Sequence, residues 1–381
     1  MVLPLAAIIP VWLLRSLPEI MNRQKTVLIT GVTGLIGSYL TMVMLKRGYK
    51  VYALARSRDN KSAVDRVSSI LKFWDEDVLS RNYDSLDVLD GDVSKENIGL
   101  SKHSIDILKR EVDEIFHSAA VTRFNWPLEN IRKVNVGGTL NVLNLAETFR
   151  QHGILRKVNH ISSAYVCGDY VGVFKEDDLD LGQGFDSTYE QSKFEAEKLV
   201  EEYRTQGLWI DILRLPLVLG ESETGKTFNF QQSVYQLLHI WSMEIFDHFP
   251  VREIYFNAVS VDDCCEAIIR ISSMSLPVNK NYHIFNCEKV SLERFLDISS
   301  MVIGFKKPEP TTLADFMGRH LTPAQKMLLA NNIFMFNNNV MLDSSSTDKI
   351  LREDGFSFIG FSEDTLPRLL KYCVKESSLK K

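Results

Sequence analysis

The stretch "TVLITGVTGLIGSYL", Thr26 to Leu40, decides how the rest of the chain is read. Thr26–Thr30 is a short run of β-branched and apolar residues that stops at once on Gly31. A run without polar alternation reads as a strand buried on both faces of a parallel sheet. Glycines follow at 31, 34 and 37, and then an apolar helical stretch ends at Gly48. A glycine triplet alone is weak evidence, but one placed between a strand and a helix points to a phosphate-binding turn. Gly31 suits a tight turn, Gly34 lets a pyrophosphate approach the backbone, and Gly37 lets the helix pack closely on the sheet. Thr33, Leu35 and Ile36 complete the loop, whose free N–H groups at the helix start would face an anion.

Outward from this turn the pattern repeats. "YKVYALAR" (49–56), "DVLDGDV" (87–93), "VDEIFHSAA" (112–120), "RKVNHISSAYV" (156–166) and "LWIDILRLPLVLG" (208–220) read as five further strands, with helical stretches between them. The connections are long enough for βαβ crossovers, which place helices on both faces of a parallel sheet. The expectation is an α/β, Rossmann-type doubly wound domain over residues 23–220. After Gly220 the alternation lapses. An aromatic-rich helical stretch (231–249), a strand and helix in "FNAVSVDDCCEAIIRISS", another strand at "NYHIFNC", and helices around a polar "NNNVMLDSSSTDK" predict a smaller, mainly helical lobe over 221–381. This lobe is expected to lie against the first domain as a substrate-binding element.

The 381 residues carry a net charge of −5 with a pI near 6.0, and no basic block is interleaved with aromatics, so nothing attracts nucleic acid. The five cysteines, 167, 264, 265, 287 and 373, follow neither CxxC nor Cys/His ligand spacing. They read as reduced thiols of a cytoplasmic protein, without a metal site. The acidic "KEDDLDLGQGFD" (175–186) reads as a solvated loop. Residues 1–22 are apolar almost throughout, yet too short to span a bilayer and without a basic n-region. They read as a non-native or disordered leader, as a tail that packs on the protein or touches a membrane surface, or as a targeting element.

The end of the second predicted strand selects the cofactor. NAD-preferring sites place an acidic residue there, whereas "ALARSRDN" offers Arg56 and Arg58. A cation favours a 2′-phosphate and so NADP(H). Arg56 is preferred because it lies nearest the strand end. Asp92, with Val93 after it, is placed beside the adenine.

The reacting groups are sought in "STYEQSKFEAEKLV", Ser187 to Val200. Tyr189 and Lys193 are four apart and share a helix face. A free phenol has a pKa of about 10, and a nearby ammonium is expected to lower it toward proton exchange at neutral pH. Such a pair can donate a proton to a carbonyl oxygen as hydride arrives. "ISSAYVCG" ends the preceding strand, and Ser163 is chosen there as second donor to the oxyanion, with Ser162 the alternative because neighbours in a strand point opposite ways.

The order GxxGxxG, "HSAA", "NVGGT", "SSAYVCG", YxxxK and "LRLPLVLG" resembles an extended short-chain dehydrogenase/reductase over about Thr26 to Ser300. "HSAAVTRFNWPLENIRKVNVGGTLNVLNLAE" is similar to the fatty acyl-CoA reductase and thioester reductase branch, the male-sterility type. The resemblance implies that Ser118, Ala119 and Ala120 line the cofactor, that Asn135 supports the active-site helix, and that Pro216 and Leu217 border the nicotinamide. It implies Ser163, Tyr189 and Lys193 as the catalytic set. His117 is expected to shape the loop rather than act as a base. Cys167 stands where many extended members carry Tyr, and it reads as a buried thiol rather than a nucleophile. The part after Ser300 matches no known substrate module.

The resemblance implies NADPH-dependent reduction of an acyl thioester, on CoA or an acyl carrier protein, to the aldehyde. Residues Val234 to Phe249 are expected either to wall an acyl tunnel or to be core. Two other readings use the same residues: an extended reductase acting on a sugar nucleotide, sterol-like alcohol or ketone, and a non-catalytic NADP-binding sensor.

Overall fold

The structure, a computed structural model, describes residues 23–124, 126–228, 230, 234–274, 279–285, 289–330, 340–361 and 364–376. The apolar segment 1–22 and Cys287 lie outside the described residues.

Six predicted strands form one sheet: β1 (Thr26–Thr30), β2 (Lys50–Ala55), β3 (Leu86–Asp90), β4 (Glu114–His117), β5 (Lys157–Ser163) and β6 (Ile210–Leu215). All five residues of β1 are buried, as its unbroken apolar run requires. The sixth stretch is shorter than its sequence suggests. Pro216 interrupts it, and Leu217–Leu219 (β7) leaves the sheet to pair with Ala258–Ser260 (β8). Proline has no N–H for a ladder, so the strand can change partners there. Asn281–His283 (β9), from the second half of the chain, then pairs with β6 and completes seven strands in the order β9-β6-β5-β4-β1-β2-β3, every pair parallel.

Helices cover both faces. Leu40 and Met44 of α1 (Leu35–Lys46) and Val67 and Leu71 of α2 (Ala63–Trp74) build one core, joined by Cys264 and Ile268 of a later helix, Val261–Ser273. Leu108 of α3 (Lys102–Glu111) packs on the other face, followed after α4 (Leu128–Asn135) by Val142 and Phe149 of α5 (Gly137–His152) and Val200 of α6 (Thr188–Thr205). From β1 the chain proceeds to β2 and β3 on one side and to β4, β5 and β6 on the other. The strand order therefore reverses between β1 and β4, which is where open α/β sheets bind ligands.

The second lobe has its own core. Leu237, Leu238 and Trp241 of α7 (Val234–Ser242) pack with Phe249, Phe295 and Leu366. Val340–Leu342, inside a segment read as polar, forms a short parallel strand against Gly172–Phe174. The acidic loop is also less solvated than its composition suggests. Glu176 is buried and accepts from the Thr347 N–H at 2.9 Å.

Candidate active site

A cleft of about 510 Å³ opens at the switch point. Its floor is the glycine loop. Gly31 has φ +75°, and a Cβ there would lie 2.6 Å from the Ala119 nitrogen. A Cβ on Gly37 would lie 2.3 Å from the Gly31 oxygen, so both are held to glycine by close backbone approach. Gly34 differs. A Cβ there would meet nothing but the Gly31 oxygen at 3.3 Å, because this side faces the cleft. Gly34 is the N-cap of α1, no side chain caps the helix, and its first turn holds no acidic residue. The helix start thus presents uncapped N–H groups and the positive end of the macrodipole to open space. This cradle fits a pyrophosphate.

Arginines crowd the rim beyond β2. Arg56 approaches Asp92 at 3.5 Å and Arg58 is exposed. A third guanidinium comes from Arg66, on α2. It hydrogen-bonds the Arg56 carbonyl and lies 3.5 Å from the Thr33 hydroxyl of the glycine loop. Burial and the neighbouring charges of Arg56 and Arg58 lower its pKa, with Asp59 opposing. Arg66 reaches the rim because Asp59 and Asn60, both at positive φ, turn the chain tightly between Arg58 and Lys61. Sequence reasoning missed Arg66, since it lies ten positions beyond Arg56. The available signal was a capping box, Ser62 with Asp65, that starts α2 directly before it.

The opposite wall carries the candidate reacting set. Another capping box, Ser187 with Glu190, starts α6, and Thr188 donates to the carbonyls of Phe124 at 3.0 Å and Trp126 at 2.8 Å. These contacts fix Tyr189 within the first helical turn. Ser163, Tyr189 and Lys193 all line the cleft, together with Thr33, Gly34, Leu35, Ile36, Ser118, Ala120, Pro216 and Leu217. The Ser163 hydroxyl stands near the Tyr189 phenol and accepts from the Tyr165 N–H at 3.2 Å. Ser162 also borders the cleft, but its hydroxyl donates to the buried carboxylate of Glu197.

Burial pushes the Tyr189 hydroxyl up to about 12, opposed by the neighbouring Ser163 hydroxyl. The expected lowering by Lys193 is not what governs the phenol here, since the ammonium donates to the Ile161 carbonyl at 2.8 Å. Lys193 itself is brought down to about 8 by burial, with Glu197 opposing.

Other predicted residues stand behind or beside the wall. Asn135 accepts from the Val121 N–H at 2.8 Å and donates to Ser192 at 2.9 Å, so it ties the loop after β4 to α6 without lining the cleft. Ala119 donates its N–H to Thr30 at 3.2 Å, and Val93 is buried, within 2.9 Å of where a Gly138 Cβ would lie. His117 sits between the hydroxyls of Thr30 (2.8 Å) and Thr139 (3.1 Å), and burial holds its pKa down at about 3. Cys167 is buried, its thiol pushed up to about 12.

Of the two readings of 234–249, core packing is the one the structure bears out. Among the described residues of 234–249, Tyr235 is the one on the cleft wall, and α7 turns its other large side chains into the second core. The rest of the cleft lining includes Thr122, Phe124, Tyr165, Phe228 and Tyr235. Phe124 packs edge-on against Tyr189 with ring centroids 5.2 Å apart. The run "VTRF" was the signal for it. Among the described residues no group of three His, Cys, Asp or Glu side chains could hold a metal ion, and no helix is long and apolar enough to cross a membrane.

Residues 29–268 match the family described as Male sterility protein, an NAD-binding family. The chain belongs to this family. Family membership makes it an NAD(P)-dependent oxidoreductase of the extended short-chain dehydrogenase/reductase type. The chain is 30% identical over 314 residues to a carboxylic acid reductase of Segniliparus rugosus, covering 74% of this chain and 26% of that protein. It is 30% identical over 224 residues to the L-2-aminoadipate reductase large subunit of Penicillium chrysogenum, covering 54% and 16%. The chain thus spans about a quarter or less of these relatives. Its fold is similar to the terminal R domain from the myxalamid PKS-NRPS biosynthetic pathway, with TM-score 0.78 and 25% identity, covering 94% of this chain and 93% of that one. It also resembles UDP-glucuronic acid 4-epimerase from Bacillus cereus in fold, with TM-score 0.64 and 19% identity, covering 93% and 100%.

Proposed function

We propose that this chain reduces an acyl thioester, carried on CoA or on a carrier protein, to the aldehyde with NADPH. The observation that carries the reading is the convergence of Ser163, Tyr189 and Lys193 on the same cleft as the uncapped glycine loop. The kinship to a carboxylic acid reductase and to a terminal R domain favours a thioester over a sugar nucleotide.

The glycine loop would hold the pyrophosphate of NADPH, and Arg56, Arg58 and Arg66 would meet its 2′-phosphate. Bound there, the cofactor supplies a hydride. As the thioester carbonyl carbon is reduced, its oxygen gains charge, and the Ser163 and Tyr189 hydroxyls are the donors that stabilise it. A phenol that stays protonated through neutral pH can give up its proton to that oxygen, and the Lys193 ammonium offsets the charge left on it. The resulting hemithioacetal releases a thiol and an aldehyde. Carrier-bound substrate reaches the site past Thr122, Phe124 and Tyr165.

The test is NADPH consumption at 340 nm with a panel of acyl-CoAs and acyl carrier proteins, run beside Tyr189→Phe. Aldehyde release that depends on Tyr189 is expected. Tight NADPH binding without thioester turnover would overturn the thioester assignment and return the choice to a ketone, sterol-like alcohol or sugar nucleotide.

A further inference from the structure

Behind the cleft wall lies a completely buried ion pair. Glu197 sits on α6 one turn beyond Lys193, and Arg214 sits on β6. Both side chains have no exposed surface. Arg214 Nη2 donates to Glu197 Oε2 at 2.8 Å, and Nε lies 3.1 and 3.2 Å from the two carboxylate oxygens. Glu197 also accepts from the Ser162 hydroxyl, so one carboxylate ties α6 to both β5 and β6. The remaining Arg214 donors reach the carbonyls of Glu176 (3.1 Å) and Asp178 (2.7 Å), in the loop that leads into α6.

Burying both charges is costly, and a helix packed on a sheet needs no ions to do so. The location of this pair suggests why it is there. Ser162 precedes Ser163 in β5. Lys193, one turn before Glu197, is itself buried and bonded to the carbonyl of Ile161 in the same strand. The charged and titratable groups around Lys193 are Tyr189 and Glu197 on its own helix, His117 on β4, His160 on β5, and Arg214 behind Glu197, with Arg204 farther along α6. Both histidines are buried and neutral. Glu197 is therefore the anion among them that favours a charged Lys193.

We propose that Glu197 and Arg214 are positioning residues for the reaction: the pair anchors the strand end that presents Ser163, and Glu197 keeps Lys193 in its ammonium form. Arg214 in turn neutralises Glu197 and holds the loop that delivers Tyr189. The inference rests on the assignment of Tyr189 and Lys193 as the reacting pair.

The experiment is the pH profile of thioester turnover for the wild type, Glu197→Gln, Glu197→Asp and the double variant Glu197→Gln/Arg214→Met, with a melting temperature for each. In Glu197→Gln, Lys193 loses its anion and faces an uncompensated guanidinium, so it deprotonates at lower pH. The alkaline limb should move toward acid by about one pH unit. Glu197→Asp should restore the limb toward its wild-type position. The double variant, which leaves no unpaired buried charge, should fall between. A folded Glu197→Gln protein with a lower melting temperature and a wild-type limb would overturn the proposal. If Glu197→Gln does not fold, a wild-type limb in the double variant does the same. Tyr189→Phe separates the two levels. Full turnover in that variant removes the underlying assignment, whereas lost turnover beside an unmoved limb in Glu197→Gln removes only the role of the pair.

Discussion

Ser162 and Ser163 differ by one position and by the groups they bond. Ser163 lines the cleft with Tyr189 and accepts from the Tyr165 N–H, while Ser162 donates to Glu197. Ser163→Ala should therefore lower kcat by about 10²–10³-fold, the usual loss for one oxyanion donor. Ser162→Ala should cost much less at neutral pH. Steady-state kinetics of the two variants check this, and equal losses would contradict the assignment. At the rim, Arg66 lies against the glycine loop while Arg56 leans toward Asp92. Arg66→Ala should raise KM for NADPH by about tenfold or more and leave KM for NADH nearly unchanged, because only the former carries the extra phosphate. A uniform rise for both cofactors would instead mean that Arg66 supports the loop.

α6 depends on its first turn. The box of Ser187 and Glu190 stops the helix from fraying at Tyr189, and Ser187→Ala should cost about 1 kcal/mol of stability. Glu190 also carries a pH signature. Burial raises its carboxyl from 4.5 to about 7 in the folded protein. A raised carboxyl contributes stability that is complete below the unfolded pKa and is lost as pH climbs through the folded value. Glu190→Gln keeps the box but does not titrate. Its melting temperature relative to wild type should therefore rise between about pH 4.5 and 7 and level off above. Thermal melts across that range measure this, and a constant difference would show that the carboxyl is not buried as described.

For the molecule as a whole, three buried histidines oppose that trend. His117, His160 and His283 are all held below the ordinary imidazole range by burial. A depressed histidine contributes stability present above its unfolded pKa, near 6.5, and lost as pH falls. The protein should lose stability steeply below about pH 6. Neither ring nitrogen of His160 has a partner. His160→Leu should consequently soften the acid loss, because leucine takes up no proton on unfolding, as the depressed histidine does. Urea melts at pH 5 and 7.5 test this, and an unchanged acid loss in the variant would count against it.

What the sequence determined by itself was local. Strand runs, glycine spacing and the Ser-x-x-Glu box are set by backbone sterics and short-range hydrogen bonds, so the Rossmann-type sheet, the phosphate turn and the YxxxK helix were legible in "TVLITGVTGLIGSYL" and "STYEQSKFEAEKLV". The tertiary structure decided what depends on contacts between distant residues. It separated Ser163 from Ser162 through Glu197, more than thirty positions away. It brought Arg66 back to Thr33 and passed the chain at Pro216 from one strand partnership to another. It also turned α7 into the second core rather than along the cleft. The physical reason is that an amphipathic pattern states that a face is buried, but not against which partner. A charge leaves no periodic trace of the ion it will meet, so the pairing of Glu197 with Arg214 becomes visible only when helix and sheet have closed over both.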